Sequence, residues 1–280
     1  MDNKAEWSKI LQLISMISSG AEGYVRAAFA DGAVSVVYYG ESGPNQGVFC
    51  LVEGADCVIA YAVFRQCSQP DVLLEVMESK INPYLQASEE REICFNVYGR
   101  NTEIVQFVRG LGFSPDIEGY QLRYAGNHPV EAEPASLLQE RGFMPEMLES
   151  FIALFDGAYE QLNRDNGWDT DQYRREPEAF LATLAGYEAE SRVRSFWIRD
   201  SLVGAYITEG EYIRDIVVAP AYQNRGHGGI ILNHCINRMR EQGDGNIFLR
   251  VAGSNAGAKR LYERNYFAET ACFAEHTYRR

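Results

Sequence analysis

The residues of this chain best arranged for chemistry lie between Tyr212 and Phe267, around the run Gln223-Asn224-Arg225-Gly226-His227-Gly228-Gly229. Glycine takes positive φ without steric cost and leaves no Cβ between a ligand and the main chain. If a helix begins at this run, the unpaired N–H groups of its first turn and the positive end of its dipole point into the same space. That combination suits a phosphate or diphosphate. The same residues also suit a plain tight turn. Neither Gly-x-Gly-x-x-Gly nor a P-loop ending in Gly-Lys-Ser/Thr is present.

Two strand-helix units must position this run. Tyr212-Ile213-Arg214-Asp215-Ile216-Val217-Val218 is β-branched and apolar enough for a largely buried strand, stopped by Ala219-Pro220. After the glycines, Ile231, Leu232, Cys235, Ile236 and Met239 recur at helical spacing. Ile247 to Val251 gives a second strand, and Ser254 or Asn255 can cap a short helix whose face presents Ala258, Leu261 and Tyr262. Two adjacent parallel strands, each followed by a helix, part at their carboxyl ends and leave a cleft there.

At Gln223, Gly226 and Gly228, followed by Asn255, Ala258, Leu261 and Tyr262, the sequence resembles the GNAT superfamily of acyl-CoA-dependent N-acetyltransferases. The resemblance implies that acetyl-CoA is the co-substrate. It implies that the loop from Gln223 through Asn224, Arg225, Gly226, His227 and Gly228 to Gly229 grips the CoA pyrophosphate. Val217 and Val218 would offer main-chain groups to the pantetheine arm and thioester, with Asn255 and Ala258 beside that arm. Tyr262 would protonate the departing thiolate. The general base is less defined: where relatives carry a glutamate, this chain has Tyr212 or Arg214 and Arg250, so Asp215, inside the central strand, and Glu211, at its mouth, are the candidates. Asp215 as a structural ion-pair partner is the alternative. Tyr266 replaces the glycine usual in the family, and Asn265 is expected to take the left-handed conformation instead. Asp165, Trp168, Asp169 and Asp171, in the segment that borders the acceptor in related enzymes, would attract a cationic amine. A solvated turn is the alternative.

The order of elements occurs twice. Asn255 lies 154 residues after Asn101, and the same offset sets Ile59 on Ile213, Val63 on Val217, Gln69 on Gln223, Ile93 on Ile247 and Phe113 on Phe267. At that offset Gly226 is matched by Val72, Gly228 by Leu74, Ala258 by Ile104 and Tyr262 by Val108. Bulky side chains stand where a pyrophosphate must touch backbone, and valine has no proton to give. The expected fold is therefore α/β (α+β) with two tandem GNAT-like domains. Each would be a mixed, mostly antiparallel sheet flanked by helices, with a splayed pair of parallel strands. Residues 1–126 are expected to form a degenerate copy without a cofactor loop, and residues 127–280 the catalytic one, joined through Ala125 to Pro134.

In the first copy a helix from Trp7 is expected to end near Ser18-Ser19-Gly20, followed by strands at Val34–Tyr39, Val48–Glu53 and Val58–Phe64, and a helix capped by Asp71. In the second, helices are expected at 147–162 and Pro177–Tyr187, with a polar loop from Asn163 to Asp171 between them. A hairpin turning at Arg199-Asp200 follows.

Composition sets outer bounds. An apolar fraction of 46% supports packed cores, and 39 acidic against 26 basic residues give a net charge of −13. That charge argues against nucleic acid or an anionic membrane as a partner and suits a cationic one. Six cysteines and four histidines show no metal-ligand spacing, so no metal is expected and the thiols are expected to be reduced in the cytoplasm. No signal peptide or membrane-spanning run is expected. The function expected is acetyl transfer to a primary amine of a small cationic molecule, with a homodimer left open. The alternatives are an acetyltransferase acting on a protein amino terminus and a non-catalytic CoA-binding sensor or assembly module.

Overall fold

The computed structural model describes residues 3–87, 91–126 and 138–279. It divides into two compact units, Met1–Gln121 with Glu269–Arg280, and Leu122–Ala268. The first copy runs α1 (Asn3–Ile14), α2 (Ser19–Ala30), β1 (Val34–Gly40), β2 (Asn45–Glu53), β3 (Cys57–Cys67), α3 (Pro70–Gln86), β4 (Glu92–Tyr98), α4 (Thr102–Gly110) and β5 (Phe113–Tyr124). The second runs β6 (Gln139–Arg141), α5 (Leu148–Asn166), α6 (Gln172–Arg175), α7 (Pro177–Ala189), β7 (Val193–Ile198), β8 (Ser201–Glu209), β9 (Tyr212–Val218), α8 (His227–Glu241), β10 (Phe248–Ala252), α9 (Ala256–Arg264) and β11 (Phe267–Tyr278). Helices α4 and α9 start at residues 102 and 256, and strands β5 and β11 at 113 and 267, both pairs at the offset of 154 and with matching lengths.

In the first unit β1, β2 and β3 are antiparallel neighbours, and β3 runs parallel to β4. The other edge of β4 is paired antiparallel by β11, from Phe273 opposite Tyr98 to Tyr278 opposite Ile93. The last strand of the chain is thus part of the first compact unit. Successive β3 residues point to opposite faces. Ala60, Ala62 and Phe64 meet Leu73, Met77 and Ile81 of α3 and Ile104, Val105 and Val108 of α4, while Tyr61 and Val63 meet Ile10 and Ile14 of α1.

In the second unit β6, β7, β8 and β9 are antiparallel, and β9 runs parallel to β10. One face carries Val193, Trp197, Ala205, Ile207 and Val217 against Phe151, Ile152, Leu154 and Phe155 of α5 and Phe180 and Leu184 of α7. The expected stripe on α8, Ile231, Leu232, Cys235, Ile236 and Met239, is fully buried. Burial of each of the four larger side chains, Ile231, Leu232, Ile236 and Met239, contributes about 1.5–3 kcal/mol.

Four local expectations are corrected. The Ser18-Ser19-Gly20 stretch starts a helix: the Ser18 hydroxyl accepts from the Ala21 N–H at 3.0 Å and caps α2. Helix α3 begins at Pro70, not under a cap from Asp71, because proline is pre-set for the first helical position and lacks an N–H that would go unpaired. Helix α5 runs through the expected polar loop as far as Asn166 and stops at Gly167, whose φ of +72° is left-handed. After α9 the left-handed residue is Tyr266 (φ +65°), not Asn265, whose side-chain amide is held on the Leu261 carbonyl at 2.7 Å. The connection expected at Ala125 to Pro134 falls, from residue 127 on, outside the described residues, as does His128. Among the described residues no helix is long and apolar enough to cross a membrane.

Candidate active site

The cleft of the second unit is made by an early end to strand pairing. Strands β9 and β10 pair only at Tyr212 with Phe248 and Ile213 with Leu249. Beyond them β8 loses register between Ile207 and Thr208, opposite Asp215 and Ile213, which leaves Arg214 as the extra residue of a β-bulge. A bulge bends the strand that carries it, and pairing with β10 ends at this point. Val217 and Val218 then stay paired with Ala205 and Gly204 of β8 but have no partner on the β10 side among the described residues.

The glycine run closes the end of this cleft. Asn224 (φ +59°) and Gly226 (φ +87°) turn the chain, and Gly226 is the N-cap of α8. The N–H groups of Asn224, Arg225, Gly226, His227 and Gly228 reach no backbone carbonyl among the described residues, whereas those of Gly229 and Ile230 fold back onto the Gly226 carbonyl at 3.0 and 3.3 Å. A Cβ at Gly226 would meet nothing within 4 Å, so its conformation is what demands glycine there. At Gly228 a Cβ would stand 3.3 Å from Leu261 Cδ2, so close packing of α8 on α9 makes the demand. This donor set, on a helix of 15 residues, fits a diphosphate. The Gln223 side chain donates to the Val218 carbonyl at 3.0 Å and ties the loop to the strand. Arg225 and His227 both lie against the ring of Tyr222, at 6.0 and 5.9 Å.

Helix α9 brings Tyr262 to the same end of the strands. The Tyr262 side chain is 9% exposed and packs on Phe267 with ring centres 5.9 Å apart. Burial, and then the charge of Asp215, push its pKa well above the ordinary tyrosine value, so it keeps its proton at neutral pH. Asn255 caps α9, its Oδ1 accepting from the Ala258 N–H at 3.1 Å.

Asp215 lies on the α5–α7 face of β9, in the floor of a cavity of about 180 Å³ lined also by Phe155, Gln172, Tyr173, Glu176, Phe180 and Arg214. Its side chain is 15% exposed, accepts from the Tyr159 hydroxyl at 2.7 Å, and has Arg214 Nε 3.5 Å from Oδ2. Burial raises its pKa above the usual carboxylate value, opposed by the Tyr159 hydrogen bond and the Arg214 charge. Glu211 is outside this group; its carboxylate receives the Asn246 N–H and side-chain amide, both at 3.3 Å. The expected acidic loop is also elsewhere. Asp165 accepts from Gln161, and both Asp169 and Asp171 are paired with Arg175. Trp168 is only partly buried, and none of the three residues Asp165, Trp168 and Asp169 lines the cavity. Tyr159, Tyr173 and Glu176 were missed in the sequence. Tyr159 follows Phe155 by four positions, so a hydroxyl on the buried stripe of α5 was the available signal.

The first unit treats the equivalent places differently. Strands β3 and β4 stay paired through six positions, ending at Ala62 and Val97. The Asn101 side chain then donates to the Phe64 carbonyl at 2.8 Å and accepts from the Phe64 N–H at 3.0 Å, which stitches the gap shut. Phe64 is the counterpart of Val218, and Asn101 of Asn255. At the head of α3 the Gln69 N–H is taken by Asn45 at 3.1 Å, Pro70 has no N–H, and Val72 projects with 67% exposure. Among the described residues no group of three or more His, Cys, Asp or Glu side chains could hold a metal ion, and all six cysteines are free.

The chain is similar to known proteins over part of its length and to a solved structure in fold. The streptothricin acetyltransferase of Streptomyces lavendulae is 39% identical over 56 residues, which cover 20% of this chain and 30% of that protein. The [ribosomal protein bS18]-alanine N-acetyltransferase of Escherichia coli K12 is 36% identical over 66 residues, covering 20% and 45%. The chain thus spans less than half the length of these curated relatives. A solved acetyltransferase of the GNAT family from Colwellia psychrerythraea is similar in fold, with a TM-score of 0.54 at 11% identity over 100% of this chain and 98% of that one. Residues 146–267 match the Acetyltransferase (GNAT) family. The parted strands and the loop that caps α8 both fall within that span, so the chain carries, from residue 146 to residue 267, an acetyltransferase domain of the GNAT family.

Proposed function

We propose that the second copy transfers an acetyl group from acetyl-CoA to the primary amine of a small molecule, cationic until it gives up a proton. The observation that carries the reading is the gap left where β9 and β10 stop pairing at Ile213 and Leu249, with bare helix-start amides at one side and Tyr262 at the other. The amides of Asn224 to Gly228 receive the pyrophosphate, and the unpaired edge at Val217 and Val218 receives the pantetheine arm and polarises the thioester carbonyl. Gln223 and Asn255 contribute by fixing the loop and the start of α9, through bonds to Val218 and Ala258.

Asp215 takes the amine proton: Asp215 and Glu176 both line the cavity, and Asp215 is the one held on β9, close to Val217, with its carboxylate mostly buried. Two residues of strand separate it from Val217, about 6.6 Å, a span that one water bridges. The free amine attacks the carbonyl carbon, the carbon–sulfur bond breaks as Tyr262 gives its proton to the thiolate, and the second proton of the amine nitrogen leaves through water and restores the phenol, while Asp215 releases its proton to solvent. The cavity of about 180 Å³ favours a small acceptor over a long folded surface. The first copy, stitched at Asn101 and blocked at Pro70 and Val72, does not bind the cofactor and serves as scaffold.

A thiol-release screen with acetyl-CoA over small amines and peptide amino termini tests the reading. Turnover of small amines supports it. A melting-temperature shift with acetyl-CoA and no thiol release across the panel would mark a CoA-binding module instead.

A further inference from the structure

We propose that the acceptor is an α-amino acid with an uncharged side chain, its ammonium group on Asp215 and its carboxylate on Arg214. This rests on the acetyl-transfer reading above and narrows it. The lining of the cavity presents two opposite charges side by side, with Arg214 Nε 3.5 Å from Asp215 Oδ2. An α-amino acid holds its own opposite charges about as close, and the two pairs are complementary when set antiparallel. A diamine or polyamine sets a second cation against Arg214 instead.

Arg214 is built to stay where it is. As the extra residue of the bulge it is carried out of the ladder. Its guanidinium lies 5.4 Å from the ring centre of Tyr187, and Nη1 donates to the Tyr187 hydroxyl at 2.5 Å and to Glu209 at 3.2 Å. Nη2 donates no hydrogen bond among the described residues, which leaves that nitrogen for a carboxylate oxygen.

The rest of the cavity selects the side chain. Phe155, Tyr173 and Phe180 form a cluster with ring centres 4.5–5.2 Å apart and wall one side. Glu176 lines the same cavity and disfavours an acidic side chain. A cavity of about 180 Å³ with that aromatic wall suits a small apolar side chain such as that of leucine, methionine or phenylalanine. The net charge of −13 favours cations at long range, but in the cavity Arg214 decides which of them stays.

The test is calorimetric binding to the full chain, with and without CoA, of L-leucine, L-methionine and L-phenylalanine, of L-phenylalanine amide and phenethylamine, and of spermidine. At least one amino acid should bind tenfold or more tighter than the amide, phenethylamine and spermidine. Arg214→Gln should remove that preference. Equal or tighter binding of the carboxylate-free amines overturns the proposal, as does the absence of any amino-acid binding. Because the preference is read on the wild-type chain, it stands even if the variant folds poorly. Thiol release is measured separately: carboxylate-selective binding with no acetylation would sink the transfer reading and leave the ligand class standing, while acetylation without carboxylate selectivity would do the reverse.

Discussion

Replacing Tyr262 by phenylalanine separates chemistry from packing at the parted strands. The ring is retained, and with it the contact to Phe267 at 5.9 Å. The hydroxyl donates to no protein group among the described residues, so no partner is orphaned, and folding stability should change by no more than about 1 kcal/mol in either direction. The proposed proton donor is gone, however. General acid catalysis is worth about 10²–10⁴, so kcat in the thiol-release assay should fall by that factor, about 2.7–5.4 kcal/mol of barrier. The KM for acetyl-CoA should move by less than about threefold, because the acid acts only as the carbon–sulfur bond breaks. The raised pKa adds a sign: burial keeps the phenol protonated above its ordinary value, so wild-type kcat should show no loss from Tyr262 ionisation below pH 10. Undiminished kcat in Tyr262→Phe refutes the assignment. A fall in kcat matched by a drop of several degrees in melting temperature would refute it equally, by assigning the side chain to packing.

Three further outcomes are expected. Asp215 has a folded pKa above its unfolded one, so stability is lost as pH rises through that window, and ionised Asp215 is a cost at neutral pH. Asp215→Asn, which can still accept from Tyr159, should therefore melt no lower than wild type at pH 7 while acetyl transfer drops about 10²–10⁴-fold; scanning calorimetry and the thiol assay read the two. Tyr266 is 67% exposed and held at φ +65°, so Tyr266→Gly should relieve about 1 kcal/mol, seen as a rise of about 2–4 °C, and a fall instead would mean the ring makes a contact that outweighs the backbone. Asn101→Ala should cost the fold about 1–3 kcal/mol in urea denaturation by freeing both main-chain groups of Phe64, with acetyl-CoA affinity unchanged within about twofold; a change in affinity would contradict a cofactor site confined to the second copy.

Several features of this protein were written locally. The α8 stripe, the glycine turn before it, the Asn255 cap and the offset of 154 all depend on residues within a turn or two of one another, or on one fold occurring twice, and the structure has each where the sequence put it. What failed locally failed for a stated competitor. An N-cap at Ser18 opened a helix where serine and glycine read as an end, and Asn265 used its side chain on Leu261 and passed the left-handed position to an exposed tyrosine.

The surroundings of Asp215 were decided in three dimensions. Tyr159 and Asp215 are 56 residues apart and meet only because α5 packs on β9, while the carboxylates of Asp169 and Asp171 are claimed by Arg175, a neighbour whose reach no pattern announces. The two asparagines show the division most directly. Asn255 and Asn101 hold equivalent places in the chain, yet one caps a helix beside an open cleft and the other bridges 37 residues to seal it. Sequence determines which hydrogen bonds an amide can make; which of them forms depends on how far apart the strands stand, and that distance is set by the packing around them.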